Sequence, residues 1–180
     1  MTAQPIKSMK NSRSTIPPEQ KRFLDDRLRE HAQKQPEILS LKRLLVGIGG
    51  VHVVAPPQHD PDVRWLVEAG FVMAYPVFEK PMQRNECHFN VARLLAAGKI
   101  AGVGTGYALF GNLWCEHSWG IRRLRDGSNT IIETTGEREK YFGLIYWGVF
   151  ARCMFAAGQY ECQGLKVPES LTLKGMACVK

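Results

Sequence analysis

Three short segments carry side chains able to make and break covalent bonds: Asn85-Glu86-Cys87-His88-Phe89-Asn90, Trp114-Cys115-Glu116-His117-Ser118-Trp119 and Ile131-Ile132-Glu133-Thr134-Thr135. In order they supply a thiol, an imidazole and a carboxylate. A thiol becomes a nucleophile when a nearby base takes its proton, and the base works best when a third group holds its ring. The order nominates Cys87 as nucleophile, His117 as general base and Glu133 as the orienting group. These residues lie far apart along the chain, so separate elements must bring them together.

The first of those elements is a helix over residues 87–97, in which Val91, Leu94 and Leu95 share a face and Gly98 closes the run. Cys87 opens it. Unpaired N–H groups and the macrodipole at a helix N-terminus favour an anion, which lowers a thiol's pKa and offers donors to an oxyanion. After Gly98 the period changes to two. Residues 100–110, 113–123 and 130–135 read as three successive strands, with Gly111-Asn112 and Asp126-Gly127-Ser128-Asn129 as turns. Alternation puts Cys115, His117 and Trp119 on one face of the second strand, and Ile131 and Glu133 on one face of the third. A carboxylate between Ile131-Ile132 and Thr134-Thr135 is expensive to bury alone, and His117 on the neighbouring strand is its expected partner. Trp119, on the face of His117, is the best candidate for the wall of a substrate groove.

Upstream, residues 1–16 are small, polar and basic, and are expected to form a disordered tail before a single domain over 17–180. Pro18-Glu19-Gln20 opens a helix whose apolar stripe runs over 20–33, and a second helix covers 36–45 with Ile38, Leu41, Leu44 and Leu45 inward. Residues 51–55 read as a strand, 63–69 as a helix, 71–78 as extended chain and 80–86 as a loop. Residues 140–147 are a candidate fourth strand and 148–161 a helix. The expected fold class is α+β, with helices first and then the Cys87 helix packed on an antiparallel sheet of about three to five strands.

A hydrophobic share of 44% is ordinary for a chain with a core. The net charge of +7 is less ordinary, but part of it sits in Lys7, Lys10, Arg13, Lys21 and Arg22. The basic excess reads first as a basic tail plus solvated helix faces. No basic run is interleaved with aromatics as a nucleic-acid groove requires, so nucleic acid is not an expected partner, and an acidic protein stands as a candidate one. No segment reaches the apolar length of a membrane span. The five cysteines are odd in number and no signal-peptide pattern precedes them, which gives the reducing cytoplasm as the default location.

Zinc is the rival chemistry, because Cys87, His88, Cys115, His117 and Glu133 are all ligand types. No C-x-x-C or H-E-x-x-H spacing occurs, and His88 is expected to point away from Cys87. No metal or other cofactor is therefore expected. Gly102-Val103-Gly104-Thr105-Gly106 lacks the G-x-G-x-x-G spacing and runs into strand-like residues, which argues against a phosphate loop.

A helix-capping cysteine followed by a strand histidine and a strand acid resembles the papain-like superfamily of thiol hydrolases, which includes bacterial cell-wall amidases, transglutaminases and glutamine deamidases. The resemblance covers residues 83–135. It implies a papain-like fold and a peptide or other amide substrate, with Cys87, His117 and Glu133 in the roles given above. Many members carry asparagine or aspartate where Glu133 stands. Gln83 lies roughly where papain places a glutamine that helps form the oxyanion site. Cys87-His88-Phe89-Asn90, His117-Ser118-Trp119-Gly120 and Glu133-Thr134-Thr135 with Tyr141-Phe142-Gly143 are also similar to an uncharacterised bacterial family, which implies no particular substrate. The competing class is a non-catalytic binding or effector module whose basic surface meets an acidic partner.

Overall fold

The computed structural model of this protein describes residues 16–57, 60, 62–149 and 151. The expected tail over 1–16, apart from Ile16, lies outside the described residues, as do the expected helix beyond Ala151 and three of the five cysteines. Among the described residues, elements with full bounds follow in the order α1 (Pro18–Lys34), α2 (Glu37–Ile48), β1 (His52–Val53), α3 (Val63–Ala69), β2 (Phe71–Met73), β3 (Val77–Glu79), α4 (Cys87–Ala96), β4 (Gly102–Phe110), β5 (Leu113–Arg123), β6 (Asn129–Glu133) and β7 (Lys140–Trp147).

The strands form one curled sheet in the order β2-β7-β4-β5-β6-β3, with β1 added to β5. The expected antiparallel sheet of three to five strands is corrected on two counts: seven strands are present, and the sheet is mixed. β3 runs parallel to β6, and β1 runs parallel to β5. Both additions are two or three residues long, too short to show a period. Residues 71–78 do not form one extended run. They divide into β2 and β3, which pair at opposite edges of the sheet. Pro76 lies at the break, and its carbonyl accepts the Ile131 N–H at 2.8 Å and the Thr130 hydroxyl at 2.8 Å. A short link between the two edge strands requires the sheet to curl.

The two faces of the sheet do different work. On one face, α1, α2 and α3 bury Leu28, Ile38, Leu41, Leu45, Val63 and Leu66 against Tyr107, Leu109, Trp114 and Phe142. Each such aliphatic side chain contributes about 1.5–3 kcal/mol on leaving water. Further along that face, Val91, Leu94 and Leu95 of α4 pack on Val103 and Ile132. On the other, concave face, Met73, Ala108, Trp119, Ile121, Ile131 and Tyr141 form a third cluster. Buried Trp119 stands over Gly104, where any Cβ would overlap the indole nitrogen, so the close approach of β4 and β5 there requires glycine.

The helices are also fastened by charge. His52 of β1 is buried, and its Nε2 lies 2.8 Å from Asp25 of α1. Lys42 of α2 donates to the same carboxylate at 3.0 Å. Hydrogen bonds from His52, Lys42 and Lys21 hold the Asp25 carboxyl well below the usual range.

β5 decides where the site can lie. On one side it pairs with β4 along almost its whole length. On the other side β1 pairs with Leu113 and Trp114, and β6 pairs with residues 120–123. Among the described residues, 115–119 therefore have a strand neighbour only in β4. His117 sits in the middle of that gap.

Candidate active site

The chain leaving β3 runs along the end of β6, with Lys80 N–H donating to Glu133 C=O and Met82 N–H to Thr134 C=O, both at 2.8 Å. It then turns into α4. Asn85 has φ 60°, a left-handed conformation that asparagine tolerates better than most residues. The buried Asn90 amide donates to the Gln83 carbonyl at 2.7 Å and ties this loop to the first turn of the helix. These contacts deliver Cys87, the first residue of α4, to the gap beside β5. Among the described residues no side chain caps α4, so N–H groups of its first turn, which Cys87 opens, have no capping partner.

The structure brings Cys87, His117 and Glu133 together. His117 Nε2 lies 2.8 Å from Glu133 Oε2, and both side chains are buried. The carboxylate holds the Nε2 proton, which leaves Nδ1 as the nitrogen for the thiol. The Cys87 thiol is influenced by both the His117 ring and His88, its neighbour in the chain. Burial alone would push this thiol up. The two imidazoles overcome that and bring it from an ordinary 9.0 down to about 5. Burial works against the charged form of His117 as well, yet its bonds to Cys87 and Glu133 raise it. Both shifts favour the thiolate–imidazolium pair over the neutral pair.

Glu133 is saturated with donors. Oε1 accepts the Thr134 and Thr135 N–H groups, both at 2.8 Å, and the Thr135 hydroxyl at 3.1 Å. Oε2 accepts the Tyr141 hydroxyl at 2.9 Å besides His117. Burial would raise this carboxyl, but His117, the Thr135 amide and Tyr141 outweigh it and hold the group at about 2. Tyr141 was not among the sequence candidates. Its only local signal is an aromatic residue at the start of a strand, and its place opposite Glu133 follows from the curl of the sheet.

Other expected positions fall differently. Trp119 is fully buried, in edge contact with Tyr141 at a centroid distance of 5.1 Å. It therefore backs the His117 ring from the interior, 6.0 Å away, and lines no surface groove. The Gln83 amide is exposed and donates to Glu86 Oε1 at 2.7 Å, so its side chain is engaged beside Cys87. The expectation that His88 points away from Cys87 is overturned. Its ring turns to β5 beside His117, and Nδ1 lies 2.7 Å from the hydroxyl of buried Ser118. The curved sheet carries β5 past the first two helical residues at once, so Cys87 meets His117 while His88 meets Ser118. Cys115, on the strand face of His117, has its thiol pushed up by burial.

Among the described residues, no group of three or more His, Cys, Asp or Glu side chains is arranged to hold a metal ion. No described helix is long and apolar enough to cross a membrane. Comparison with known proteins finds no family model, no curated protein and no solved structure that matches the chain.

Proposed function

We propose that this protein is a thiol hydrolase or acyltransferase of the papain-like kind, acting on an amide bond through Cys87, His117 and Glu133. The observation that carries the reading is a half-buried thiol at the first residue of α4, in the gap beside a buried imidazole that a buried carboxylate holds at 2.8 Å. The Cys87 thiolate attacks the amide carbonyl and forms a C–S bond. The oxyanion is met by N–H groups at the uncapped start of α4. The C–N bond breaks as the leaving nitrogen takes a proton from an imidazolium of the site and departs as the neutral amine. Water, or an acceptor amine, then releases the acyl group from sulfur. Glu133 keeps the His117 ring in the tautomer that faces the sulfur and stabilises its charged form.

The test is site-specific alkylation. Iodoacetamide should label Cys87 with a rate half-maximal near pH 5, while Cys115 reacts only at higher pH. Replacing Cys87 or His117 by alanine should abolish low-pH labelling, and Cys115→Ala should spare it. If Cys87 and Cys115 react alike, a non-catalytic module with a basic surface becomes the better reading.

A further inference from the structure

We propose that His88 is a second catalytic imidazole, which carries the proton between leaving group and attacking water while His117 stays paired with Glu133. This rests on the hydrolase reading above and deepens it.

Two consecutive helical residues meet two consecutive strand residues: Cys87 lies against His117, and His88 against Ser118. The start of α4 thus meets two rings of opposite accessibility. The His117 side chain is only 4% exposed and is bound to a buried carboxylate. The His88 side chain is 55% exposed, so a departing group and an entering water can reach its ring. Ser118, itself buried, fixes the His88 ring through Nδ1, which leaves Nε2 to exchange a proton. Glu116 Oε1 lies 3.6 Å from that Nε2, close enough to favour the charged ring without saturating it. Cys87 first, then Glu116, raise His88 against the effect of burial and so favour the protonated ring.

The proton and electron count closes. The Cys87 thiolate attacks the carbonyl, the C–N bond breaks, and the leaving nitrogen takes a proton from His88 Nε2. His88 is then neutral and accepts a proton from the water that attacks the thioester. The C–S bond breaks with its electron pair on sulfur, which restores the thiolate beside a His117 imidazolium that never lost its proton. Ser118 acts through His88 and is a positioning residue.

The discriminating probe is 4-nitrophenyl acetate, whose nitrophenolate leaves without needing a proton, whereas hydrolysis of the acetyl-thioester needs a base. His88→Gln should keep the acylation burst within about threefold of the wild type and lose turnover by about 100-fold, the usual worth of a general base. Ser118→Ala should give a smaller turnover loss, about tenfold, with the burst intact. Turnover of His88→Ala should recover with added imidazole, a response that a purely structural role would not show. The shuttle is overturned if His88→Gln turns over like the wild type, if it loses the burst together with turnover, or if imidazole leaves His88→Ala unchanged. A wild-type protein without a burst overturns the hydrolase reading itself, and the proton shuttle falls with it.

Discussion

Replacing Glu133 by glutamine tests the charge coupling at the centre of the site. The difference between the ordinary 4.5 and about 2, at about 1.4 kcal/mol per pH unit, corresponds to ~3 kcal/mol of preference for the ionised carboxyl. His117 is the largest contributor opposing burial, and by linkage the carboxylate favours the imidazolium by a comparable amount. Glutamine removes the charge and also reverses a bond. Its oxygen is claimed by the Thr134 and Thr135 N–H groups, so its NH2 faces His117 Nε2. The ring must then carry its proton on Nδ1, toward the sulfur, and cannot accept the thiol proton. Losing roughly half of the coupling moves the Cys87 midpoint up by ~1–2 pH units from its starting value. The assay is the pH dependence of iodoacetamide alkylation at Cys87, read by peptide mass spectrometry, with Cys115 as the internal reference. Glu133→Gln with an unmoved midpoint would refute the coupling. It would leave the helix terminus and His88 as the source of the acidic thiol.

Asp62 is buried, and among the described residues its carboxyl accepts a long 3.4 Å bond from the Tyr146 hydroxyl; burial, reinforced by Asp60, raises it to about 6. A folded pKa above the unfolded one means that its contribution is complete below the ordinary 3.8 and is lost as pH rises through about 6. Asp62→Asn should therefore stabilise the protein by about 1–2 kcal/mol at neutral pH, with the gain vanishing below about pH 4, measured by urea unfolding at both pH values. Equal stabilities at neutral pH would show that the carboxyl is solvated. Gly104→Ala should cost ~2–3 kcal/mol and lower the thermal midpoint by about 5–10 °C, because the new methyl displaces the indole that backs His117. An unchanged melting curve would mean that β4 and β5 separate freely at that point.

The local sequence determined a good deal. The change from helical period to alternation marked α4 and the start of β4, β5, β6 and β7. Alternation placed His117 with Trp119 and Glu133 with Ile131, and the cost of burying a lone carboxylate pointed Glu133 at His117. These are properties of neighbouring residues: backbone preference, side-chain period and the free energy of leaving water. Only the tertiary structure decided that β1 and β3 would pair in parallel, that 115–119 would be left open on one edge of β5, and that Tyr141 would share Glu133. It also set His88 against Ser118, buried Trp119, and joined Asp25, Lys42 and His52. Each of those depends on which distant strand or helix arrives alongside, and that is fixed by how far the sheet curls and which loops can close. A run of two or three residues carries no period from which such a partner could be read.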